Sequence, residues 1–252
     1  PIEKRNFRWE LNYNVTWNNN EIDELVNNGN DNYRILHGGL AVGDSGSDGI
    51  KAYMVGHSVS AFFPYQQVYG EDGQPIQGQF VDRNGDGMIN DEDRYFFHQS
   101  DPVVSMGFSN KCIICRKWDF GFSMRASLGN YIYNGVEAGN SNMSYSNRYS
   151  GNTWHNVIKY VIDKNYQDVQ AKDALSDLFI HNGSFLKLDN ITVGYSFDKI
   201  GSLNLSGRVY ATAQNIFTIT KYEGLDPEIS GGYDSNIYPR PFTGIIGLSL
   251  NF

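Results

Sequence analysis

Apolar and polar residues alternate along several segments of the chain. In residues 7–18, every second residue from Phe7 to Trp17 is apolar and the residues between them are polar. Six segments follow this period of two: residues 7–18, 103–112, 118–128, 185–197, 203–219 and 241–252. The pattern is weaker in residues 103–112 and 185–197. Successive side chains of a strand point to opposite faces, so the pattern predicts six β-strands with one apolar and one polar face each.

The predicted strands are long. Strands of soluble proteins are most often roughly 5 or 6 residues long, whereas roughly 9 to 11 tilted residues cross a bilayer. Aromatic residues lie near the ends of several apolar faces, as in the aromatic girdles of outer-membrane barrels. The sequence therefore predicts an all-β fold, a fragment of a transmembrane antiparallel β-barrel with large extracellular loops. The alternative is a soluble β-sandwich with one solvated face, and the strand length argues against it.

The lengths of the links between strands predict the topology. Residues 113–117 and 198–202 form short links, and bacterial barrels place their short turns on the periplasmic side. The extracellular loops are then residues 19–101, 130–183 and 220–240. Residues 50–69 contain a possible extra strand, which we assign to the first excursion because one more span would break the parity. Six strands cannot enclose a lumen, so the rest of the barrel must lie outside these 252 residues.

The amino-acid composition excludes some classes of protein for this chain. Aromatic residues make up 14% and charged residues 19% of the chain, with a formal net charge of −8, so a disordered chain and a general nucleic-acid binder are excluded. No stretch approaches the roughly 18 to 20 apolar residues of a membrane-spanning helix. The chain starts at Pro1 with neither Met nor a signal peptide, which suggests a piece of a longer polypeptide.

Residues 82–93 have the spacing of a calcium-binding loop. Calcium loops place oxygen ligands at positions 1, 3, 5, 7 and 12, with glycine at position 6 for a sharp turn. The predicted ligands are Asp82, Asn84, Asp86, the main-chain carbonyl of Met88, and Asp93, with Gly87 at the turn. No flanking helices are evident, which favours a structural Ca²⁺ site over a sensor. An acidic, glycine-rich turn without an ion is the alternative.

No pattern points to catalysis. Cys112 and Cys115 form a lone Cys-x-x-Cys in a predicted hairpin turn, without the second pair that a zinc site needs, and are interpreted as two thiols or a local disulfide. The five histidines show no ligand spacing, and no nucleophile motif or P-loop occurs. Residues 153–177 have a helical period, which predicts a short amphipathic helix in the second excursion.

Further motifs run in order along nearly the whole chain. They are Phe7-x-Trp9 with Asn14, Asn20-Glu21-Ile22, Phe80 to Asp93, Gly129 to Asn134, Gly183 to Tyr195, Gln214 to Tyr222, Gly224 to Glu228, and Tyr238-Pro-Arg240-Pro-Phe242 through Phe252. With these motifs the chain resembles the C-terminal third of SusC/RagA-type TonB-dependent outer-membrane transporters. The combination is far more specific than any single motif.

The resemblance implies the C-terminal strands of a 22-stranded barrel whose lumen is plugged by an N-terminal domain. It implies a multi-pass location in the bacterial outer membrane, contact with lipids, and pairing with a SusD-like surface lipoprotein. Such transporters import glycans, or peptides in some members, with energy delivered through TonB. The plug and the TonB-contacting segment would precede Pro1, and Phe252 matches the terminal signal for barrel assembly.

Several roles stay open in the sequence. Tyr145, Tyr149 and Trp154 are candidates for stacking on a sugar or contacting the lid, or they only pack the loops. The predicted lumen-facing charges either line the substrate cavity or pair internally, and internal pairing is expected because buried charges usually have partners; they are Arg8, Glu10, Arg125 and Arg208. Besides active import, a surface glycan-binding or adhesion module and a passive porin-like channel remain alternatives.

Overall fold

The computed structural model describes residues 1–25, 33–39, 49–141, 149–150, 153–154, 159–164, 169–198, 205–235 and 237–251. The strands are β1 (Ile2–Lys4), β2 (Phe7–Trp17), β3 (Ile35–His37), β4 (Lys51–Tyr53), β5 (Ala61–Phe62), β6 (Gln67–Tyr69), β7 (Pro75–Phe80), β8 (Phe97–Gln99), β9 (Val104–Ile114), β10 (Trp118–Leu128), β11 (Tyr131–Asn134), β12 (Tyr149–Ser150), β13 (Thr153–Trp154), β14 (Ile180–Asn182), β15 (Phe185–Phe197), β16 (Ser206–Thr220), β17 (Tyr233–Asp234) and β18 (Thr243–Asn251). The helices are α1 (Gly135–Asn140), α2 (Lys159–Asp163) and α3 (Ala171–Ala174). Short 3-10 turns cover Asp91–Asp93, Asp177–Phe179 and Ser230–Gly232. No helix in these ranges is both long and apolar enough to cross a membrane.

One antiparallel sheet contains all six predicted strands. Its order is β1-β2-β9-β10-β15-β16-β18, and every neighbouring pair is antiparallel. The six-strand prediction is confirmed within a few residues at each end. The seventh member, β1, was missed because its three residues are too few to show a period. In the described residues β1 and β18 are open edges, so the sheet is a wall and not a closed barrel.

The two faces of the wall have opposite chemistry. Trp9, Cys112, Phe120, Val193, Ala211 and Ile246 pair in one continuous row across the sheet. The adjacent row, on the other face, contains Glu10, Lys111, Gly121, Thr192 and Thr212. The apolar face is largely uncovered by the described chain, with Ile246 86% and Trp17 69% exposed. A large exposed apolar face indicates contact with lipid or with another protein.

The long connections at one end of the sheet pack into a body with its own core. The first connection contributes Ile50, Phe62, Tyr65 and Phe80, and the second contributes Tyr133, Ala138, Val169, Ala174, Leu175, Leu178, Phe179 and Ile180. Main-chain hydrogen bonds join the two segments, from Tyr65 N–H to the Leu175 carbonyl (2.8 Å) and from Asp177 N–H to the Tyr65 carbonyl (2.9 Å). Residues 50–69 form three short strands of this body and, as expected, no additional strand of the wall.

The third connection is attached to the same body. Its strand β17 pairs in parallel with β11, and the hydroxyl of Tyr222 donates a 2.6 Å hydrogen bond to Asp234. The buried Lys51 donates from Nζ to the Gly231 carbonyl and to Ser100 Oγ, each at 2.6 Å. Burial lowers the pKa of Lys51 to about 8, against the opposing attraction of Asp101. Three segments distant in sequence therefore form one packed unit at this end of the sheet.

The predicted helix over residues 153–177 is wrong as a continuous element. In its described parts, Thr153–Trp154 is a strand, Lys159–Asp163 and Ala171–Ala174 are short helices, and Asp177 begins a 3-10 turn. The helical period was created by a few large apolar residues. Val169, Ala174 and Leu175 lie in the core of the body.

Candidate functional site

The loop of residues 82–93 is organised around its carboxylates. Asp82 accepts hydrogen bonds from the main-chain N–H groups of Gly85 (2.7 Å) and Gly87 (2.8 Å), and both glycines have positive φ. Asp86 accepts one from the N–H of Met88 at 2.7 Å. The positive φ values require glycine-like freedom, because a Cβ is disfavoured in the left-handed region. The glycine spacing therefore fixes the direction in which the acidic side chains point.

Asp93 anchors the end of this loop. Its side chain is fully buried and accepts from the N–H groups of Arg83 (2.8 Å) and Asn90 (2.9 Å). The bond from Asn90, with those from Arg83 and Asn84, outweighs the opposing effect of burial and holds the pKa of Asp93 below its ordinary value. Asn90 caps the following 3-10 turn through a capping box with Asp93. The carboxylate thus stays ionised where it closes the loop.

The residues present suit a hard cation in their chemistry. Carboxylate, amide and main-chain carbonyl oxygens are the ligands that Ca²⁺ takes in proteins, and the loop carries all three types at the predicted positions. Among the described residues, however, no three Asp, Glu, His or Cys side chains converge closely enough to form a metal site by themselves. The calcium site stays a prediction.

The aromatic candidates are placed only in part. Tyr145 lies outside the described residues. Tyr149 and Trp154 are paired positions in the backbone register of β12 and β13. Their assignment to a substrate or to a lid stays a prediction.

The polar face of the wall carries paired charges. Arg208 on β16 binds Asp119 on β10 through Nε (2.8 Å) and Nη2 (2.5 Å). Arg8 and Glu10 pair within β2 at 2.5 Å. The predicted pairing of these charges is therefore observed, and the partner of Arg208, Asp119, is one that the sequence alone did not identify.

A larger cluster of charges surrounds Glu228 in the third connection. Arg125 on β10 binds the Glu228 carboxylate with both terminal nitrogens, the Nη2–Oε2 distance being 2.8 Å, and binds Asp189 with Nε at 2.9 Å. Lys187 on β15 approaches Glu228 Oε2 at 3.3 Å, and Arg240 binds the same oxygen. Glu228 thereby joins the third connection to two strands of the wall.

The register of the sheet brings this cluster together. Arg125 pairs with Lys187, and Asp189 is the extra residue at the bulge where the β10–β15 register shifts. A bulge re-aims a side chain, which here turns Asp189 toward Arg125. Desolvation opposes ionisation of Glu228, but Arg125, Lys187 and Arg240 outweigh it and hold the pKa of that carboxyl below its ordinary value. Glu228, Asp189 and Lys187 were assigned no role from the sequence, since only the fold makes them neighbours.

A groove of about 640 Å³ lies along the polar face. Its lining includes Glu10, Lys111, Asp119, Asn190, Thr192 and Arg208. Hydroxyls, amides and paired charges make this surface suitable for polar contacts. Cys112 and Cys115 are free thiols and not a disulfide.

Known proteins similar to the chain are TonB-dependent receptors. The chain is 42% identical over its whole length to the TonB-dependent receptor SusC of Bacteroides thetaiotaomicron, of which it covers 25%. It is 26% identical over its whole length to the TonB-dependent receptor P3 of Formosa agariphila, of which it covers 27%. No protein-family model matches the chain.

Solved structures give the same fold. The whole chain superposes on 28% of a chain in the RagAB peptide importer in the "closed-closed" state, with a TM-score of 0.71 and 17% identity. The "open-open" state of that importer gives a TM-score of 0.72 and 18% identity over 27% of the matched chain. At this level of identity the likeness concerns the fold alone.

The antiparallel wall and the similarity over the whole chain define the class as that of the TonB-dependent receptors, which are outer-membrane β-barrel proteins. Within this class the chain belongs to the SusC/RagA type. It spans about a quarter of the length of the relatives that it matches. The family consists of transporters and not of enzymes, which confirms the prediction that the chain is not catalytic.

We predict that Glu228→Gln loosens the third connection. The change leaves the buried Lys187 and the half-exposed Arg125 and Arg240 without their shared anion, although solvent screening at the arginines reduces the loss. Hydrogen exchange of residues 222–235 in the full-length receptor should accelerate by roughly tenfold, a local loss of about 1.4 kcal/mol. The exposed Glu223→Gln is the matched control and should have no effect.

The pH dependence of the same exchange provides a second readout. The folded pKa of Glu228 is lowered, so its stabilisation is complete above the ordinary carboxyl pKa and is lost as the pH falls through the lowered value. Acidification should loosen residues 222–235 in the wild type more than in Glu228→Gln. Equal exchange in both proteins at neutral pH would show that Glu228 does not hold the connection.

Proposed function

We propose that the chain is part of the barrel wall of a receptor that imports nutrients across the outer membrane with energy delivered through TonB. The observation that carries the proposal is the 42% identity to a SusC receptor over the whole chain. The two-faced sheet supports it, since an apolar face toward lipid and a polar face toward a lumen are what a barrel wall requires. The open edges β1 and β18 would pair with the remaining strands of the barrel.

The proposed topology follows from the two ends of the wall. The short turns would lie in the periplasm, and the packed body of the three connections would lie outside the cell. A SusD-like surface lipoprotein would cover this body as a lid. The plug and the segment that contacts TonB would come from the rest of the receptor, as in the family that the chain resembles.

The substrate that we propose is a glycan oligosaccharide, with an oligopeptide as the alternative. The resemblance to SusC/RagA-type transporters, most of which import glycans, supports the first, and the fold shared with a peptide importer keeps the second. Tyr149 and Trp154, adjacent in the β12–β13 hairpin, and Tyr145 would contact the substrate or the lid.

Uptake in cells tests this function. The full-length receptor, expressed with its neighbouring lipoprotein, should support uptake of labelled oligosaccharides or oligopeptides, and deletion of TonB should abolish that uptake. Uptake that continues without TonB would contradict active import and favour a passive channel. Binding of glycans to the cell surface with no uptake in either strain would favour an adhesion module instead.

We also propose that Asp82, Asn84, Asp86, the Met88 carbonyl and Asp93 bind one structural Ca²⁺. The support is the spacing of oxygen donors and the glycines with positive φ that orient them. The ion would tie the start of the loop to its end at Asp93 and so brace the body.

Calcium should therefore protect this loop. In the full-length receptor, adding Ca²⁺ to chelator-treated protein should slow proteolysis within residues 82–93, and Asp82→Asn should weaken this protection by at least about tenfold in Ca²⁺ concentration, because it removes a charged ligand. Asp72→Asn, in a neighbouring exposed turn, is the control and should leave the protection unchanged. Identical proteolysis with Ca²⁺ and with chelator would contradict the site.

A further inference from the structure

The end of the wall opposite the packed body is built from adjoining turns. Arg5 and Asn6 turn the chain between β1 and β2, and Cys115 to Lys117 turn it between β9 and β10. The N–H of Cys115 donates to the Asn6 carbonyl, and the N–H of Ser196 at the end of β15 donates to the Lys117 carbonyl, each at 2.7 Å. These bonds join the two turns and the end of β15 into one continuous edge.

Unpaired cations concentrate at this edge. Lys4, Arg5, Arg116 and Lys117 are all exposed, and within the described ranges none of them forms an ion pair. We call these four residues the basic rim. The exposed carboxylates at the same edge are Glu3 and Asp198.

The nearby charges do not neutralise the rim. Asp119 is bound by Arg208, and Glu10 is bound by Arg8, so neither of these carboxylates is free to serve it. Among the described residues, the rim thus carries four cations against two carboxylates, on a chain whose net charge is −8. A local excess of positive charge on a chain of negative net charge indicates an anionic partner.

The backbone conformation of the turn at Arg116 does not favour arginine at that position. Cys115 and Arg116 both have positive φ, 52° and 58°, and the N–H of Lys117 closes the turn on the Ile114 carbonyl at 3.1 Å. Turns with two such residues strongly favour Asn-Gly, because a Cβ is strained in this region. The conformation therefore gives no reason for arginine at this position, whereas an anion bound by its guanidinium does.

The rim lies beside the aromatic end of the apolar face. Phe7, Ile114, Trp118 and Tyr195 form the last apolar row before the turns, and the rings of Trp118 and Tyr195 are 4.6 Å apart. Aromatic rings mark the level of the lipid headgroups in membrane barrels, and long basic side chains at that level reach toward phosphates. The partner must therefore present negative charge at the border of the apolar face.

We propose that the basic rim binds the phosphate groups of anionic phospholipids in the leaflet next to the short turns. The proposal rests on the membrane placement given under Proposed function. Lipid fits better than an acidic protein segment because the cations continue the apolar, aromatic surface and are spread over turns at the strand ends. Each phosphate would accept charge-assisted hydrogen bonds from one or two rim residues.

The test uses the full-length receptor in vesicles of phosphatidylcholine with or without phosphatidylglycerol. Native mass spectrometry of the extracted receptor should show retained phosphatidylglycerol in preference to phosphatidylcholine. Arg5→Gln, Arg116→Gln and Lys117→Gln should each lower this preference by about fivefold, and the triple variant by about a hundredfold.

A matched triple variant at the other end of the wall is the control. Lys159→Gln, Lys164→Gln and Lys221→Gln remove the same charge from the second and third connections and should leave the preference unchanged. The inference is overturned if the rim variant keeps the wild-type preference, if both triple variants lose it equally, or if the wild type binds an acidic periplasmic protein through the rim and shows no lipid preference.

Insertion into vesicles separates this inference from the proposed function. Flotation with vesicles of either composition depends on the apolar face and not on the rim. Flotation without a preference for phosphatidylglycerol overturns only the inference. Failure to float with either composition contradicts the membrane placement and with it both proposals.

Discussion

The hydrogen bonding of the strands is the constraint on which the structure depends. A strand in contact with lipid must pair its N–H and C=O groups with neighbouring strands, because the hydrocarbon offers no partner. From β2 to β18, the long strands pair with one another in antiparallel ladders, which are interrupted only where the register of β15 shifts at Asp189. In the described residues β1 and β18 each leave one edge unpaired, and residues 10–17 of β2 are unpaired on the side of β1 as well, because β1 covers only residues 7–9.

The same register places the apolar side chains and the charged side chains on opposite faces of the sheet. Alternation sends the apolar rows to one face, and on the polar face Arg208 pairs with Asp119 and Arg8 with Glu10. The Glu228 cluster extends this rule beyond the sheet, because its carboxylate belongs to a connection and its cations mostly to the wall. The packed body is thereby tied to the wall by charge at one place and by main-chain bonds at others.

The sequence patterns predicted the features that depend on residues close together along the chain. The period of two located six strands, because it repeats over nine or more residues in each observed strand. It missed β1, which is too short, and the helical period over residues 153–177 predicted a longer helix than the two short ones observed there, Lys159–Asp163 and Ala171–Ala174. The Glu228 cluster was not predictable, since it depends on the bulge at Asp189 and on a connection that returns to the wall. The loop of residues 82–93 was recognisable because its whole pattern is contiguous.

The central claim is that one face of the wall contacts lipid and the other faces a polar lumen. Spin labels at Ile246 and Ala211 on the apolar face, and at Thr192 and Thr212 on the polar face, test it in the full-length receptor with Cys112 and Cys115 replaced by serine. In bilayers, the first pair should be accessible to oxygen and shielded from a water-soluble nickel complex, and the second pair should not show this lipid signature. Equal access of the nickel complex to both faces would contradict the account.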